Sequence, residues 1–123
     1  MKYAILCYHA ENVVCAWSKE HDDAVMAKLG AVQERRAKMG QLGPVARLMP
    51  TTAATTLRRD NEPAVVLDGP FAETKEQLLG FFVVDCPNLE EVLAFTRELA
   101  EANPGGAYEV RPIGYFHDWS AAT

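Results

Sequence analysis

Two short segments, YAILCY at residues 3–8 and GFFVV at residues 80–84, set the terms on which this chain can fold. Side chains of a strand alternate between its faces. In the first segment Tyr3, Ile5 and Cys7 point one way and Ala4, Leu6 and Tyr8 the other, and both sets are apolar. The second segment is apolar on both faces too. A strand with one face in water would alternate apolar with polar, so both segments must be covered on both sides.

The remaining segments say what does the covering. Ser18 offers an N-cap hydroxyl, with Glu20, Asp22 and Asp23 in the first turn, where carboxylates suit the positive helix end. Val25, Leu29, Val32 and Met39 recur at helical spacing, which predicts an amphipathic helix over about 19–39, stopped by Gly40. Residues 10–17 read as a connection. A short strand is expected around 45–48, between Gly43-Pro44 and Pro50. The stretch TTAATTLRR, the turn residues Asp60-Asn61-Glu62-Pro63 and extended residues 64–67 together read as a hairpin. Asn88, with Glu91 three residues on in capping-box position, opens a second helix. Its expected buried stripe is Leu89, Val92, Leu93, Thr96, Leu99 and Ala100, and Asn103-Pro104-Gly105-Gly106 ends it. Residues 108–113 form a last strand in which Tyr108 and Val110 oppose Glu109 and Arg111. A loosely ordered tail is expected over 117–123.

This order predicts an α+β domain over 1–116: a ferredoxin-like split βαβ with an antiparallel sheet and an extra hairpin. Helices cover only one face of such a sheet. A second copy packed sheet to sheet would hide the other, giving a homodimer of α+β barrel type.

Of the 123 residues, 49% are apolar and 24% charged, which suits one globular domain and excludes a disordered one. The net charge is −5 and the basic residues are dispersed, so direct binding to nucleic acid is not expected. Cys7, Cys15 and Cys86 form an odd set without metal-ligand spacing, read as reduced and structural. With no signal-like segment and no membrane-length apolar run, a soluble cytoplasmic protein is expected. No phosphate loop, nucleophile elbow, His-x-x-x-His pair or Cys-x-x-Cys pair occurs, so neither a metal nor another cofactor has support.

The place for a site follows from topology. The first and third core strands run antiparallel as neighbours, so His9 and the loop ending at Gly80 share one end of the sheet. The segment 68–77, DGPFAETKEQ, delivers the chain there. Pro70 pushes Gly69 toward extended geometry and has no N–H to donate, so the strand stops or bulges and holds Asp68 at its end. Asp68 reads first as a turn cap and only second as a general acid or base. His9 and His21 are the candidate proton carriers, because histidine titrates near neutrality without help. Lys75, Glu73, Phe71 and Arg111 are candidate ligand contacts, although the charged ones also read as solvated or ion-paired surface. Trp17, Tyr8, Phe81 and Phe82 could wall an apolar pocket, a role that packing alone also explains.

The stretch LDGPFAETKEQLLGFFVVD resembles the hallmark of the YCII-related superfamily in its DGPF-motif branch. TTAATTLRR and YEVRPIGYF are similar to that family's Thr-rich strand and its ending. The resemblance implies a dimeric ferredoxin-like fold, a cleft near the DGPF aspartate and genes often placed beside extracytoplasmic-function sigma factors, hence a partner linked to them. In simpler relatives a histidine within the first helix pairs with an aspartate as an acid–base dyad. Here residues 24–39 contain no histidine, and His21 lies in the first turn instead. Two functions follow: a dimer that binds a small molecule as a sensor or regulatory accessory, or an enzyme using an Asp-His pair.

Overall fold

The computed structural model describes residues 1–60 and 62–119. The two doubly apolar segments occupy the middle of a four-stranded antiparallel sheet, where each gains a neighbour on either side. Strand β1 is Lys2–His9, followed by a short helix α1, Glu11–Val14, and a long helix α2, Lys19–Lys38. Next come β2, Leu42–Arg47, a 3-10 turn at Thr51–Ala53, and β3, Thr55–Arg58. The chain continues through β4, Val65–Asp68, and β5, Gln77–Asp85, to helix α3, Leu89–Ala102, and β6, Ala107–Pro112. The sheet order is β2-β5-β1-β6, the ferredoxin-like arrangement, and β3 and β4 form a separate hairpin.

Register decides which side chains share a face. Tyr3 lies opposite Val84 and Ile5 opposite Phe82, all four buried, and both helices pack on that side. Helix α2 contributes Val25 and Val32, and α3 contributes Val92, Phe95, Leu99 and Ala102. The stripe on α3 therefore differs from the expected one: Leu89 is exposed, and Phe95, the largest fully buried side chain, carries the centre. On α2, Met39 is exposed and Arg36 holds the last buried position.

Arg36 is tolerated there because its donors are met. It bonds Glu98, Glu91 (2.8 Å) and Gln41 (2.8 Å), and its guanidinium lies 5.0 Å from the Phe95 ring centroid. This clamp also explains why the capping box on α3 is half formed. Asn88 Oδ1 accepts from the Glu91 amide at 2.9 Å, but the Glu91 carboxylate is drawn to Arg36. On α2, Ser18 Oγ accepts from the His21 amide at 3.0 Å, as expected.

The opposite face of the sheet carries Ala4 and Leu6 of β1 against Val83 and Phe81 of β5, all half-buried. Arg111 and Glu109 of β6 sit beside Ala4 and Leu6 on that face. The hairpin is exposed along the whole of β4. Asn61, in its turn, lies outside the described residues, as do residues 120–123 of the expected tail. Among the described residues no helix is long and apolar enough to cross a membrane.

Candidate functional site

The small side chains on the helix face of the sheet leave a hollow under the first half of α2. Gly80 is the key position: a Cβ there would lie 2.5 Å from the main-chain oxygen of Ala46 on β2, so only glycine lets the two strands pair. Cys7, across the ladder from Gly80, is nearly as small. Above them α2 presents Asp22, Val25, Met26 and Leu29, and the result is a cleft of about 110 Å³ with a mostly apolar lining. Phe81, Phe82 and Tyr108 also contribute to its wall.

One end is aromatic and polar. Trp17 stands edge to face between His9, 6.1 Å away, and His21, 4.6 Å away, measured between ring centroids. His9 Nδ1 accepts from the Ala10 amide at 2.8 Å, which leaves Nε2 as the protonated nitrogen of the neutral ring. Nε2 rests on the turn after α3, where a Cβ on Gly105 would come within 2.7 Å of it; Gly105 has φ +93°, so a side chain there is excluded twice. At the mouth, Arg47 of β2 forms a two-pronged pair with Asp22, at 3.0 and 3.4 Å.

Burial pushes the Cys7 thiol up to about 12, and burial likewise pushes the Tyr108 phenol up to about 12. Tyr108 donates to the main-chain oxygen of Asn103 at 3.4 Å. Asn103 lines the cleft, and its side-chain Oδ1 is buried without a hydrogen-bond partner among the described residues.

A wider outer cleft of about 370 Å³ adjoins this one and shares Val14, Arg47 and Leu79 with it. Glu11 of α1 forms part of its wall and accepts from both the amide and the hydroxyl of Thr51. The Glu11 amide donates to Gln77 Oε1 at 2.9 Å, and Gln77 Nε2 donates to the main-chain oxygen of Thr74. The 3-10 turn before β3 and the start of β5 are thereby both fastened to α1.

The sequence candidates fall into two groups. His9 ends β1 opposite Gln77, the first residue of β5, and it meets His21 through Trp17. Asp68 ends β4 with an exposed side chain, lines neither cleft and makes no side-chain hydrogen bond among the described residues. Phe71, Glu73 and Lys75 are exposed in the following loop, and Arg111 is exposed on β6. Sequence reading gave no site role to Asp22, Arg47 or Asn103. Asp22 reads as a carboxylate suited to a helix start and Asn103 as a helix stop. The usable signal was Gly80, a glycine inside the most apolar strand, which marks a bulge, a close approach or a void.

Against known proteins, the YCII-related domain matches residues 1–117. An uncharacterized protein of Rhizobium meliloti (strain 1021) is 58% identical over 117 residues, covering 94% of each chain. With a family match over nearly its whole length and a relative this close, the chain belongs to the YCII-related family.

Proposed function

We propose that this YCII-related protein is a small-molecule-binding homodimer of the DGPF-motif branch, with its ligand in the cleft between α2 and the sheet. The observation that carries this reading is the cleft itself. It is concave and largely apolar, and it has a few convergent polar groups in His9, Asn103 and the Arg47–Asp22 pair, the pattern of a ligand site. The sensing form of the reading rests on the chain of hydrogen bonds from Thr74 through Gln77 to Glu11. A ligand that shifts Val14 on α1 would move the DGPF loop, which is exposed and free to meet a protein partner. A partner linked to an extracytoplasmic-function sigma factor is the one suggested by resemblance of the 67–85 stretch. Binding is preferred to acid–base catalysis because Asp68 lines neither cleft.

A thermal-shift screen of small metabolites tests the reading on the wild type, Met26→Trp and Asp68→Asn. Met26 lines the cleft yet is 39% exposed, so tryptophan there obstructs the cleft without being forced into the core. Compounds that raise the wild-type melting temperature are expected to fail with Met26→Trp, checked as folded by circular dichroism, and to act normally on Asp68→Asn. Compounds that stabilise Met26→Trp as well as the wild type would contradict the proposal.

A further inference from the structure

Resting on the inner cleft as the binding site proposed above, we infer that the ligand is an elongated molecule reaching both clefts, apolar end inward, and that Leu79 sets how wide it can be at their border. The place of Leu79 follows from strand register. Gly80 lies opposite Cys7, Leu78 opposite Tyr8 and Gln77 opposite His9, so Leu79 is an extra residue in β5 with no partner on β1, a β-bulge. Alternation from Gln77 puts Leu79 on the face that carries His9 and Cys7. Alternation from the buried Phe82 puts Gly80 on that face as well. The bulge thus turns toward the helices a side chain that unbroken alternation from Phe82 would turn away. The Leu48 amide holds the bulge, donating to the Leu79 main-chain oxygen at 2.8 Å.

Leu79 is half-buried and lines both clefts, as do Val14 of α1 and Arg47 of β2, so these three stand at the border. Size argues for a ligand that crosses it. Sites for drug-sized ligands run from roughly 300 Å³ upward, and a cavity of roughly 150 Å³ takes a benzene-sized group. The inner cleft, at about 110 Å³, holds one end of such a ligand, and the outer, at about 370 Å³, has room for the rest. The linings give the direction. The inner one is mostly apolar, whereas the outer one includes Glu11 and Arg47 among Leu48, Met49 and Pro50. A polar group sent inward would lose its water for few partners, so the apolar end enters first. Arg47 is already paired with Asp22 and Glu11 bonded by Thr51, so neither requires a charge on the ligand.

Titration of nitrogen-15 labelled protein with the 1-alkanols from butanol to nonanol tests the inference. Butanol should shift the amides of Met26, Leu29 and Gly80, which line the inner cleft alone, and nonanol should also shift those of Cys15 and Met49, which line the outer cleft alone. Kd should fall about fourfold for each added methylene, the worth of one buried CH₂. In Leu79→Trp, checked as folded by circular dichroism, the gain in affinity from butanol to nonanol should shrink by about tenfold, because the longer chains no longer pass the border. Should that variant not fold, the wild-type shift map decides. Nonanol shifting the inner set alone, or an undiminished gain in Leu79→Trp, overturns the inference and leaves the inner cleft as a site. If no alkanol binds while screening hits still depend on Met26, the elongated class is overturned and the proposed function stands. If no hit depends on Met26, the proposed function falls and the inference with it.

Discussion

Burial is the main difference among the three cysteines. It pushes the Cys7 thiol up to about 12 and raises that of Cys86, whereas Cys15 is exposed beside the outer cleft. The thiolate is the reactive form, so one thiol should react with Ellman's reagent in native protein at neutral pH and three after unfolding. Fast native release of two or more would mean that Cys7 or Cys86 is open to reagent in the folded protein. Arg36 makes a second residue-scale prediction. Hydrogen bonds from Arg36 and then Gln41 hold the Glu91 carboxyl below its ordinary range. Burial pushes Glu98 up, but its bonds to Arg35 and Arg36 outweigh that and leave it lowered as well. A carboxyl whose folded pKa is depressed adds stability that is full above the unfolded value of 4.5 and is lost as pH falls through the folded value. Urea midpoints should therefore fall as the pH drops below about 4.5. Arg36→Met should cost about 2 kcal/mol at neutral pH and flatten that acid decline. An unchanged acid slope in the variant would contradict the clamp.

Among the elements, those legible in the sequence are the ones whose signals are local. Ser18 and Asn88 cap α2 and α3 because a side-chain oxygen within three residues satisfies a free amide, and nothing distant is needed. Residues 10–17 read as a plain connection because the four residues of α1 bury nothing and so leave no apolar stripe. In TTAATTLRR the β-branched run suggested one long strand, but Pro50 and the pull of Glu11 on Thr51 turn its first half into a 3-10 turn. The hairpin after it was expected, and its pairing of Leu57 with Val66 bears that out. Leu57, Val65, Val66 and Leu67 are all exposed, however, so the hairpin lacks the packing that makes a two-stranded ribbon stable. Amide exchange should be at least a hundredfold faster in β3 and β4 than at Ile5, Phe82 and Val84. Equal protection throughout would show the hairpin to be part of the core.

At the scale of the whole molecule, two doubly apolar strands implied a sheet covered on both faces, and one chain covers one face. The ferredoxin-like architecture was legible because that demand, with two capped helices, leaves few topologies. The cleft was not, because it depends on which small residues the register places together, Cys7 and Gly80 beneath α2. The half-buried face with Ala4, Leu6, Phe81 and Val83 is where we place the dimer contact. Sedimentation equilibrium should give twice the 13.6 kDa of one chain, and Leu6→Glu should bring it to the single value. A dimer unaffected by Leu6→Glu would put the contact elsewhere.

The most direct test of the account is chemical-shift mapping of nitrogen-15 labelled protein with a compound that raises its melting temperature. The account predicts the largest shifts at Cys7, His9, Trp17, Arg47, Asn103 and Tyr108, with smaller ones relayed through Glu11 and Gln77 to Thr74. Shifts confined to Asp68 and the loop that follows it, with the cleft silent, would contradict it.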